Sequence, residues 1–296
     1  ALPGALMRVS VIIPSLNSPI LDEVLAAILA QEGYADVGEI LVVGKDEPGL
    51  IGHAPNVRLI DTGRPVNPAV ARNIGIAESS APLLIFLDSD CIPQPGWLRA
   101  HQAAHAAGYP VVGGGVLPRG ENYWSLGYNL GMFQEYLTTR PTAERAILPT
   151  LNLSVERRAI AAAGPLDESL PRSQDMEWTA RMAVAGFQPC FWPGAAVEHR
   201  HNRRTMRAVW DDCARSGYYS RQVRLRHSKL LQTPALLRHP SLMRLLSPAI
   251  AAVTTARIVA GQPVLLRRFP AALPAVFLTK LAWAWGAGAR NEVRLG

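Results

Sequence analysis

Short apolar runs and amphipathic stretches alternate along the first half of the chain. The apolar runs predict strands, and the last run is continuous, as is typical of a strand buried in the middle of a parallel sheet. The stretches between them space apolar residues as a helix does. Strands are predicted at residues 8–13, 39–43, 57–60 and 82–87, and helices at residues 19–31 and 68–78. This order predicts an α/β fold with a mostly parallel sheet and helices on both faces.

The pattern is less regular beyond residue 110, where shorter strands and helices still alternate. An aromatic-rich stretch at residues 122–137 predicts a helix. Further strands are predicted at residues 110–118, 147–154 and 188–192, and further helices at residues 155–162 and 175–186. The α/β pattern therefore ends close to residue 200.

Two long apolar stretches, at residues 245–266 and 269–289, follow an arginine-rich segment. Prolines interrupt both stretches, and each contains one charged residue, Arg257 or Lys280. A simple membrane-spanning helix needs about 20 largely uncharged residues. The pattern instead favours helices that lie in a membrane interface, with Arg257 and Lys280 extending toward the headgroups.

Composition excludes two classes of protein. With 49% hydrophobic and 18% charged residues among 296, the chain is too apolar to be disordered and long enough for a sizeable core. Its three cysteines offer no paired framework for a disulfide-stapled secreted scaffold. Residues 1–6 are uncharged and give no sign of a signal peptide. We therefore expect the body of the protein to fold in the cytosol.

Charge is divided unevenly along the chain. Residues 1–199 carry 13 basic and 20 acidic side chains, a net charge of −7, whereas residues 200–296 carry 17 basic and 3 acidic side chains, a net charge of +14. A basic segment with long apolar stretches favours an anionic membrane surface, at the cytoplasmic face of the inner membrane. A homo-oligomer formed through the apolar helices is compatible with this surface and is also the main alternative to it. Nucleic acid is not an expected partner, because the segment has no aromatic-basic binding motif.

The sharpest candidate for chemistry is Asp88-Ser89-Asp90, which directly follows the apolar run at residues 82–87. Ligands of parallel sheets gather beyond the carboxyl ends of the strands, so this acidic pair lies where a site is expected. Carboxylates at positions i and i+2 on extended backbone point the same way and can share a divalent cation with the phosphates of a ligand. The alternative that spacing alone leaves open is a solvated turn.

Several motifs in series resemble the family 2 glycosyltransferases. In the first half of the chain these are residues 10–17 (SVIIPSLN), 69–76 (AVARNIGI) and 86–93 (FLDSDCIP). In the second half they are residues 151–155 (LNLSV), 164–168 (GPLDE), 174–178 (QDMEW) and 197–199 (VEH). The resemblance spans about residues 8–200, and the ordered series is far more specific than any one motif. It implies the GT-A fold and transfer of a sugar from a nucleotide-sugar donor.

The resemblance also implies roles for individual residues. Asp175 matches the general base of the family, Asp88 resembles the aspartate that approaches the donor's ribose and base, and Asp90 resembles the metal-binding aspartate. His199 matches a histidine that in some members joins these aspartates as a metal ligand or contacts the diphosphate. The cation is expected to be Mg²⁺ or Mn²⁺, since both suit an oxygen-rich site with one histidine. The other implied donor-binding residues are Pro14, Ser15, Asn17, Asp46, Arg72, Asn73, Ser89 and Asn152.

Two positions depart from the family pattern. Where the family has an aspartate pair after its second strand, this sequence has Gly44-Lys45-Asp46. Either Asp46 substitutes after a local shift, or the nucleotide is held differently. The family's Glu-Asp pair is Gln174-Asp175 here, which keeps the aspartate. The sequence therefore leaves the donor base open.

Together these features predict an inverting, metal-dependent glycosyltransferase that acts on a saccharide, lipid-linked or envelope acceptor. A catalytic domain is expected over residues 7–200, with a nucleotide-sugar half at about 7–118 and an acceptor half at about 119–200. A basic, apolar helical region that associates with a membrane is expected over residues 201–296. One base and no enzyme nucleophile imply a single displacement. The alternatives are a nucleotidyltransferase on a related fold and a membrane-bound module that binds nucleotide-sugar without turnover.

Overall fold

The computed structural model describes residues 7–54 and 56–291, which form two compact units. The first unit comprises the described residues up to Gly115 together with Pro141–Glu198. The second comprises Val116–Arg140 and the described part of His199–Gly296. Residues 1–6, on which the expectation about a signal peptide depends, lie outside the described residues. Residues 116–140 therefore share a compact unit with the C-terminal helices.

A nine-stranded sheet forms the centre of the first unit. Its strands are β1 (Val9–Leu16), β2 (Val37–Lys45), β3 (Val57–Asp61), β4 (Leu83–Leu87), β5 (Cys91–Pro93), β6 (Val111–Val116), β7 (Ala143–Glu144), β8 (Asn152–Glu156) and β9 (Pro189–His199). Their order is β3-β2-β1-β4-β8-β6-β9-β5, with β7 paired to β9. Strands β3, β2, β1 and β4 run parallel, whereas β8 is antiparallel to both β4 and β6. The predicted α/β class is confirmed.

Helices follow most of the strands and make up most of the second unit. They are α1 (Leu21–Leu29), α2 (Pro68–Glu78), α3 (Trp97–Ala106), α4 (Tyr123–Met132), α5 (Arg157–Ala163), α6 (Gln174–Val184), α7 (Met206–Arg226), α8 (Pro240–Leu245), α9 (Ser247–Gly261), α10 (Pro263–Arg268) and α11 (Leu273–Ala287). Helix α3 is absent from the sequence-based prediction. Within the described ranges, no helix combines the length and the hydropathy that crossing a membrane requires.

Strand β1 continues beyond Pro14, where the sequence predicted its end. It pairs with β2 along its whole length, but with β4 only from Val9 to Ile12. A proline has no amide hydrogen to donate and is tolerated where a strand has lost one of its two neighbours. The strand therefore carries Ser15 out to the carboxyl edge of the sheet.

Helix α2 begins with two sequence signals for a helix start. Asn67 caps it by accepting a hydrogen bond from the Val70 amide at 3.0 Å, and Pro68 occupies its first turn. A Cβ atom on Gly75 would lie 2.5 Å from the Ile12 side chain. This glycine therefore lets α2 pack closely against β1.

In the second unit, helices α7 and α11 approach each other at glycines. A Cβ atom on Gly217 would lie 2.0 Å from the carbonyl oxygen of Trp283, and one on Gly286 would lie 1.9 Å from the carbonyl oxygen of Ala214. Only a residue without a side chain allows two helix backbones to come this close. The two helices therefore pack in direct backbone contact.

Lys280 on α11 does not extend toward headgroups as the sequence predicted. Its ammonium donates a hydrogen bond to the carbonyl oxygen of Gly131 on α4, at 2.5 Å. Burial lowers the pKa of Lys280 to about 8, because the charged form loses hydration. The prediction is wrong for this residue because the contact between α4 and α11 supplies an inward acceptor.

Candidate functional site

A cavity of about 190 Å³ lies at the carboxyl ends of the parallel strands in the first unit. Adjacent parallel strands end at the same edge, so residues far apart in the sequence meet there. Its wall includes residues that the sequence predicted for the donor site, namely Pro14, Ser15, Arg72, Asp88, Ser89 and Asp90. The acidic pair after β4 therefore lines a cavity together with the end of β1 and with α2.

The segment between β3 and α2 also lines the cavity, through Thr62, Pro65 and Val66. The sequence analysis missed these residues because no motif marks them. A signal was nonetheless available, since β3 was predicted to run parallel to its neighbours and to end at the same edge. The Thr62 hydroxyl donates a hydrogen bond to the Arg64 carbonyl at 2.7 Å, which orders this wall.

Arg72 and Asp88 form an ion pair at the cavity, with a guanidinium nitrogen 2.5 Å from a carboxylate oxygen. The Arg72 side chain is only 4% exposed, whereas that of Asp88 is 33% exposed. Two buried polar atoms in the wall, Nε of Arg72 and Oγ of Ser15, have no hydrogen-bond partner in the described part of the chain. Leaving buried polar groups unpaired is unfavourable. A ligand in the cavity would therefore lie beside residues whose buried polar groups lack a protein partner.

Gly44 occupies the position where the family pattern has an aspartate. It pairs with Ser15 across the parallel strands, and its φ of +135° is in the region that favours glycine. A Cβ atom here would lie 1.9 Å from the Ser15 carbonyl oxygen. The close approach of β1 and β2 at the cavity wall therefore requires a glycine in this structure.

Asp46 and Asn17 order the turn that follows β2. The Asp46 carboxylate accepts hydrogen bonds from the amides of Leu50 and Ile51, at 3.1 and 3.0 Å. The Asn17 side-chain oxygen accepts a hydrogen bond from the Glu47 amide at 2.9 Å. Both side chains hold the loop next to the cavity, and their contact with a donor base stays a prediction.

Asn73 and Asn152 use their amide groups to connect elements within the first unit. Asn73 donates hydrogen bonds to the Leu166 carbonyl and the Glu168 carboxylate, at 3.0 and 2.8 Å. Asn152 is buried, and its side-chain oxygen accepts a hydrogen bond from the Trp97 indole at 2.8 Å. Asn73 therefore ties α2 to the segment before α6, and Asn152 ties β8 to α3. A donor contact by either residue stays a prediction.

Asp175 lies in the first turn of α6. Burial raises the pKa of its carboxyl group, while the Met176 amide and the Arg72 guanidinium lower this pKa and the Asp88 carboxylate raises it. The hydrogen bond from the Met176 amide is 2.7 Å long. Because Asp175 interacts electrostatically with both members of the Arg72–Asp88 pair, it lies near two residues of the cavity wall. A raised pKa makes a carboxylate a stronger base.

His199 is buried in the second unit. Its Nδ1 atom lies 3.0 Å from the side-chain oxygen of Asn129, and its ring packs edge-on against Phe133 with centroids 5.1 Å apart. These contacts fix the ring orientation. Its predicted role as a metal ligand beside Asp88 and Asp90 stays a prediction.

Comparison with known proteins assigns the chain that carries this cavity to a family. Residues 10–160 match the family model described as Glycosyl transferase family 2, so the chain belongs to this family. "Glycosyltransferase AglE" of Haloferax volcanii is 29% identical over 193 residues, which are 62% of this chain and 64% of that protein. "Pre-mycofactocin glycosyltransferase" of Mycobacterium tuberculosis is 27% identical over 215 residues, 69% of this chain and 42% of that protein. The chain thus spans less than two thirds of the length of these relatives.

Solved structures share the fold. The mannosyltransferase PcManGT from Pyrobaculum calidifontis, in complex with GDP-Man and Mn²⁺, superposes with a TM-score of 0.64 at 17% identity, over 95% of this chain and 87% of that one. GalNAc-T7 with UDP, GalNAc and Mn²⁺ superposes with a TM-score of 0.55 at 14% identity, over 75% of this chain and 55% of that one. The predicted GT-A fold is confirmed.

Proposed function

We propose that this protein transfers a sugar from a nucleotide-sugar donor to an acceptor hydroxyl in one displacement, with inversion at the anomeric carbon. The observation that carries the proposal is the cavity at the strand ends, where Asp88 and Asp90 lie in one wall with the unpaired polar atoms of Ser15 and Arg72. Such a wall suits a polar, phosphate-bearing ligand better than an apolar one. Family membership supports the same reaction class.

Asp175 is the proposed general base. Its carboxylate removes the proton of the acceptor hydroxyl as the oxygen attacks the anomeric carbon, and a positioned base of this kind contributes about 10²–10⁴-fold to the rate. Its raised pKa supports this role, and so does its interaction with Arg72 and Asp88 at the donor cavity. With one base and no enzyme nucleophile, a single displacement inverts the anomeric carbon, by the logic of inverting glycosidases.

Asp88 and Asp90 are the proposed ligands of a divalent cation, Mg²⁺ or Mn²⁺. Two partly exposed carboxylates in one cavity wall form the oxygen-rich donor set that these cations prefer. When bound, the cation neutralises negative charge on the departing diphosphate. The Mn²⁺ named with PcManGT and with GalNAc-T7 supports this choice by analogy. Asp88 also keeps the Arg72 guanidinium in the wall through their ion pair.

Thermal unfolding with UDP, GDP, dTDP and CDP, each with and without Mn²⁺, tests the donor site. We expect one nucleotide to stabilise the protein, mainly when Mn²⁺ is present, and Asp90→Ala to remove the Mn²⁺-dependent part of the shift. A ligand at 100 times its Kd stabilises the folded state by about 2.7 kcal/mol, which is a readily measured shift.

Asp61→Ala is the matched control, since Asp61 is an exposed carboxylate whose only described ion pair is with Lys45 on the neighbouring strand. This variant is expected to keep the full Mn²⁺-dependent shift. If none of the four nucleotides alters the unfolding temperature, or if Asp90→Ala responds as the wild type does, the proposed donor site is wrong. If no nucleotide has an effect, a protein that does not catalyse sugar transfer becomes the better interpretation.

The second unit is proposed to dock on the cytoplasmic face of the inner membrane, where the acceptor is a lipid-linked or envelope saccharide. Its helices leave large apolar side chains exposed, most of all Leu245 at 75%. The others at its C-terminal end are Leu242, Leu246, Val253, Val264, Leu266 and Trp285. Arginines stand among them, as Arg267 and Arg268 do beside Leu266. Exposed apolar side chains next to basic ones are typical of interfacial helices.

Co-sedimentation with vesicles tests this docking. We expect the full chain to sediment with phosphatidylglycerol vesicles and to stay in solution with phosphatidylcholine vesicles. The double change Arg267→Gln and Arg268→Gln should weaken binding by roughly 30-fold, because each basic residue near an anionic leaflet contributes about 1 kcal/mol. The control is Arg58→Gln with Arg64→Gln, which removes the same charge from exposed positions in the first unit. Equal losses for the two pairs would show that only net charge matters and would contradict a defined surface.

A further inference from the structure

The second unit contains a cavity of about 560 Å³ that is separate from the donor site. It lies among α7, α8, α9 and α11, and its wall is mainly apolar. The apolar part of the wall includes Leu237, Met243, Ile250, Val253 and Trp283. This volume is within the roughly 300–1,000 Å³ of cavities that hold small ligands. The wall is unsuited to a nucleotide or a sugar, whose polar groups it would leave without partners.

Two arginines, Arg224 and Arg257, are the charged residues of this wall. Nε of Arg224 is buried and has no hydrogen-bond partner within the described ranges. Burial lowers the pKa of Arg224, as expected for a cation that has lost hydration. The sequence has no acidic residue between Cys213 and Asn291, and within the described residues neither arginine forms an ion pair with a carboxylate.

An apolar wall that includes two arginines fits a ligand with an apolar chain and an anionic head. Leu246 and Val253 belong to this wall and are also 37% and 51% exposed, so the apolar lining continues onto the surface of the unit. An acyl chain can therefore enter the cavity from this surface, and its anionic head can pair with the arginines of the wall. Arginine binds phosphate oxygens well because its planar guanidinium donates paired hydrogen bonds.

We infer that this cavity binds one acyl chain of an anionic phospholipid and that Arg224 and Arg257 hold the lipid phosphate. The inference deepens the membrane docking proposed above and rests on it for the source of the lipid. Docking by surface charge alone involves many lipids and needs no cavity. An acyl chain bound in the cavity would make one lipid molecule a specific ligand of the protein. The lipid is then a partner of the second unit and is distinct from the sugar acceptor.

Binding of a monomeric short-chain lipid to the full chain tests the cavity without a membrane. Dihexanoylphosphatidylglycerol is titrated below its micelle-forming concentration, and the signal is the tryptophan emission change that Trp283→Phe removes. We expect a saturable change, and binding at least tenfold weaker for dihexanoylphosphatidylcholine, whose choline cation offsets the charge of the phosphate. Arg224→Gln should also weaken binding at least tenfold, since a hydrogen bond to a charged group contributes about 1.5–3 kcal/mol. Inorganic phosphate at the same concentrations should give no saturable change.

Replacing either of two alanines on α9 with phenylalanine distinguishes blocking of the cavity from a general effect on the helix. Ala249 lines the cavity, whereas Ala252 on the same helix is exposed and lies outside the lining. Ala249→Phe should abolish the Trp283 signal, and Ala252→Phe should leave it unchanged, with both variants unfolding at the wild-type temperature.

Three results would overturn the inference: equal binding of the two lipids, a saturable response to phosphate alone, or a Trp283 signal that survives Ala249→Phe. None of these depends on vesicles. If the protein did not sediment with vesicles but bound the monomeric lipid saturably, the proposed docking would be contradicted and the lipid site would be supported. If the protein sedimented with vesicles but did not bind the monomeric lipid saturably, the lipid site would be contradicted and the docking would be supported. The comparison of the two lipids uses the wild-type protein, so it tests the lipid site even if a variant fails to fold.

Discussion

Replacing Asp175 with asparagine is expected to lower the rate of sugar transfer by about 10²–10⁴-fold, the contribution of a positioned general base. Asparagine keeps the shape of the side chain and the oxygen that accepts the Met176 amide, but it cannot take a proton. We therefore expect kcat to fall while the nucleotide-dependent thermal shift stays intact. The measurement is steady-state transfer with the donor that the nucleotide series identifies.

The pH dependence gives this variant a second readout. Because burial raises the pKa of Asp175, the acid limb of the wild-type rate profile should lie above the ordinary aspartate value of about 3.9, and activity should fall as the pH drops through it. A raised pKa in the folded state also means that the ionised carboxylate destabilises the fold near neutral pH. Asp175→Asn should therefore raise the unfolding temperature at pH 7, and the gain should vanish at pH values below the unfolded-state pKa.

Asp167→Asn is the matched control, since this carboxylate accepts the Ser169 amide in a turn, a bond that asparagine can keep. Its rate should stay close to that of the wild type. If Asp175→Asn lost nucleotide binding, Asp175 would be assigned to the donor site and not to proton transfer. The same would hold if the remaining activity of this variant fell at low pH as the wild-type activity does.

Strand and helix order could be predicted wherever local signals were strong. Helix α2 was predicted at residues 68–78, and it spans Pro68–Glu78. Asn67 and Pro68 favour the start of a helix whatever the tertiary contacts, because a cap and a first-turn proline act within one helical turn. The position of Asp88 and Asp90 was equally predictable, since they follow a fully buried strand whose neighbours end at the same edge.

The partners of the polar side chains could not be predicted in this way. Asn73 and Asn152 belong to motifs of the family, yet their amides bind protein groups on other elements, such as Leu166 and Trp97. Hydrogen bonds of this kind join residues far apart in the sequence, and they depend on distances that only the folded chain defines. Lys280 shows the same limit, because its inward acceptor lies on α4.

Gly44 combines a local and a long-range requirement, and Gly44→Ala is expected to be the most destabilising single substitution at the donor cavity. A non-glycine residue at its φ of +135° costs about 1–3 kcal/mol in backbone strain. Overpacking against the Ser15 carbonyl, 1.9 Å from the new Cβ, adds about 1–3 kcal/mol. Urea unfolding of the full chain measures the sum, and nucleotide binding should weaken as well, because β1 must move away from β2 at the cavity wall.

Gly49→Ala is the control for Gly44→Ala, because Gly49 has a φ of +70° and open space within 4 Å of a new Cβ. It carries backbone strain without a collision, so the difference between the two variants reports the contact of β2 with the Ser15 carbonyl together with the greater strain at a φ of +135°. We expect Gly44→Ala to lose clearly more free energy of unfolding than Gly49→Ala and to be the only one of the two that loses nucleotide binding. Equal losses would mean that the strands can separate at this edge without cost. A glycine would then be no structural requirement there, and the missing aspartate of the family would need a functional explanation in the donor that this enzyme accepts.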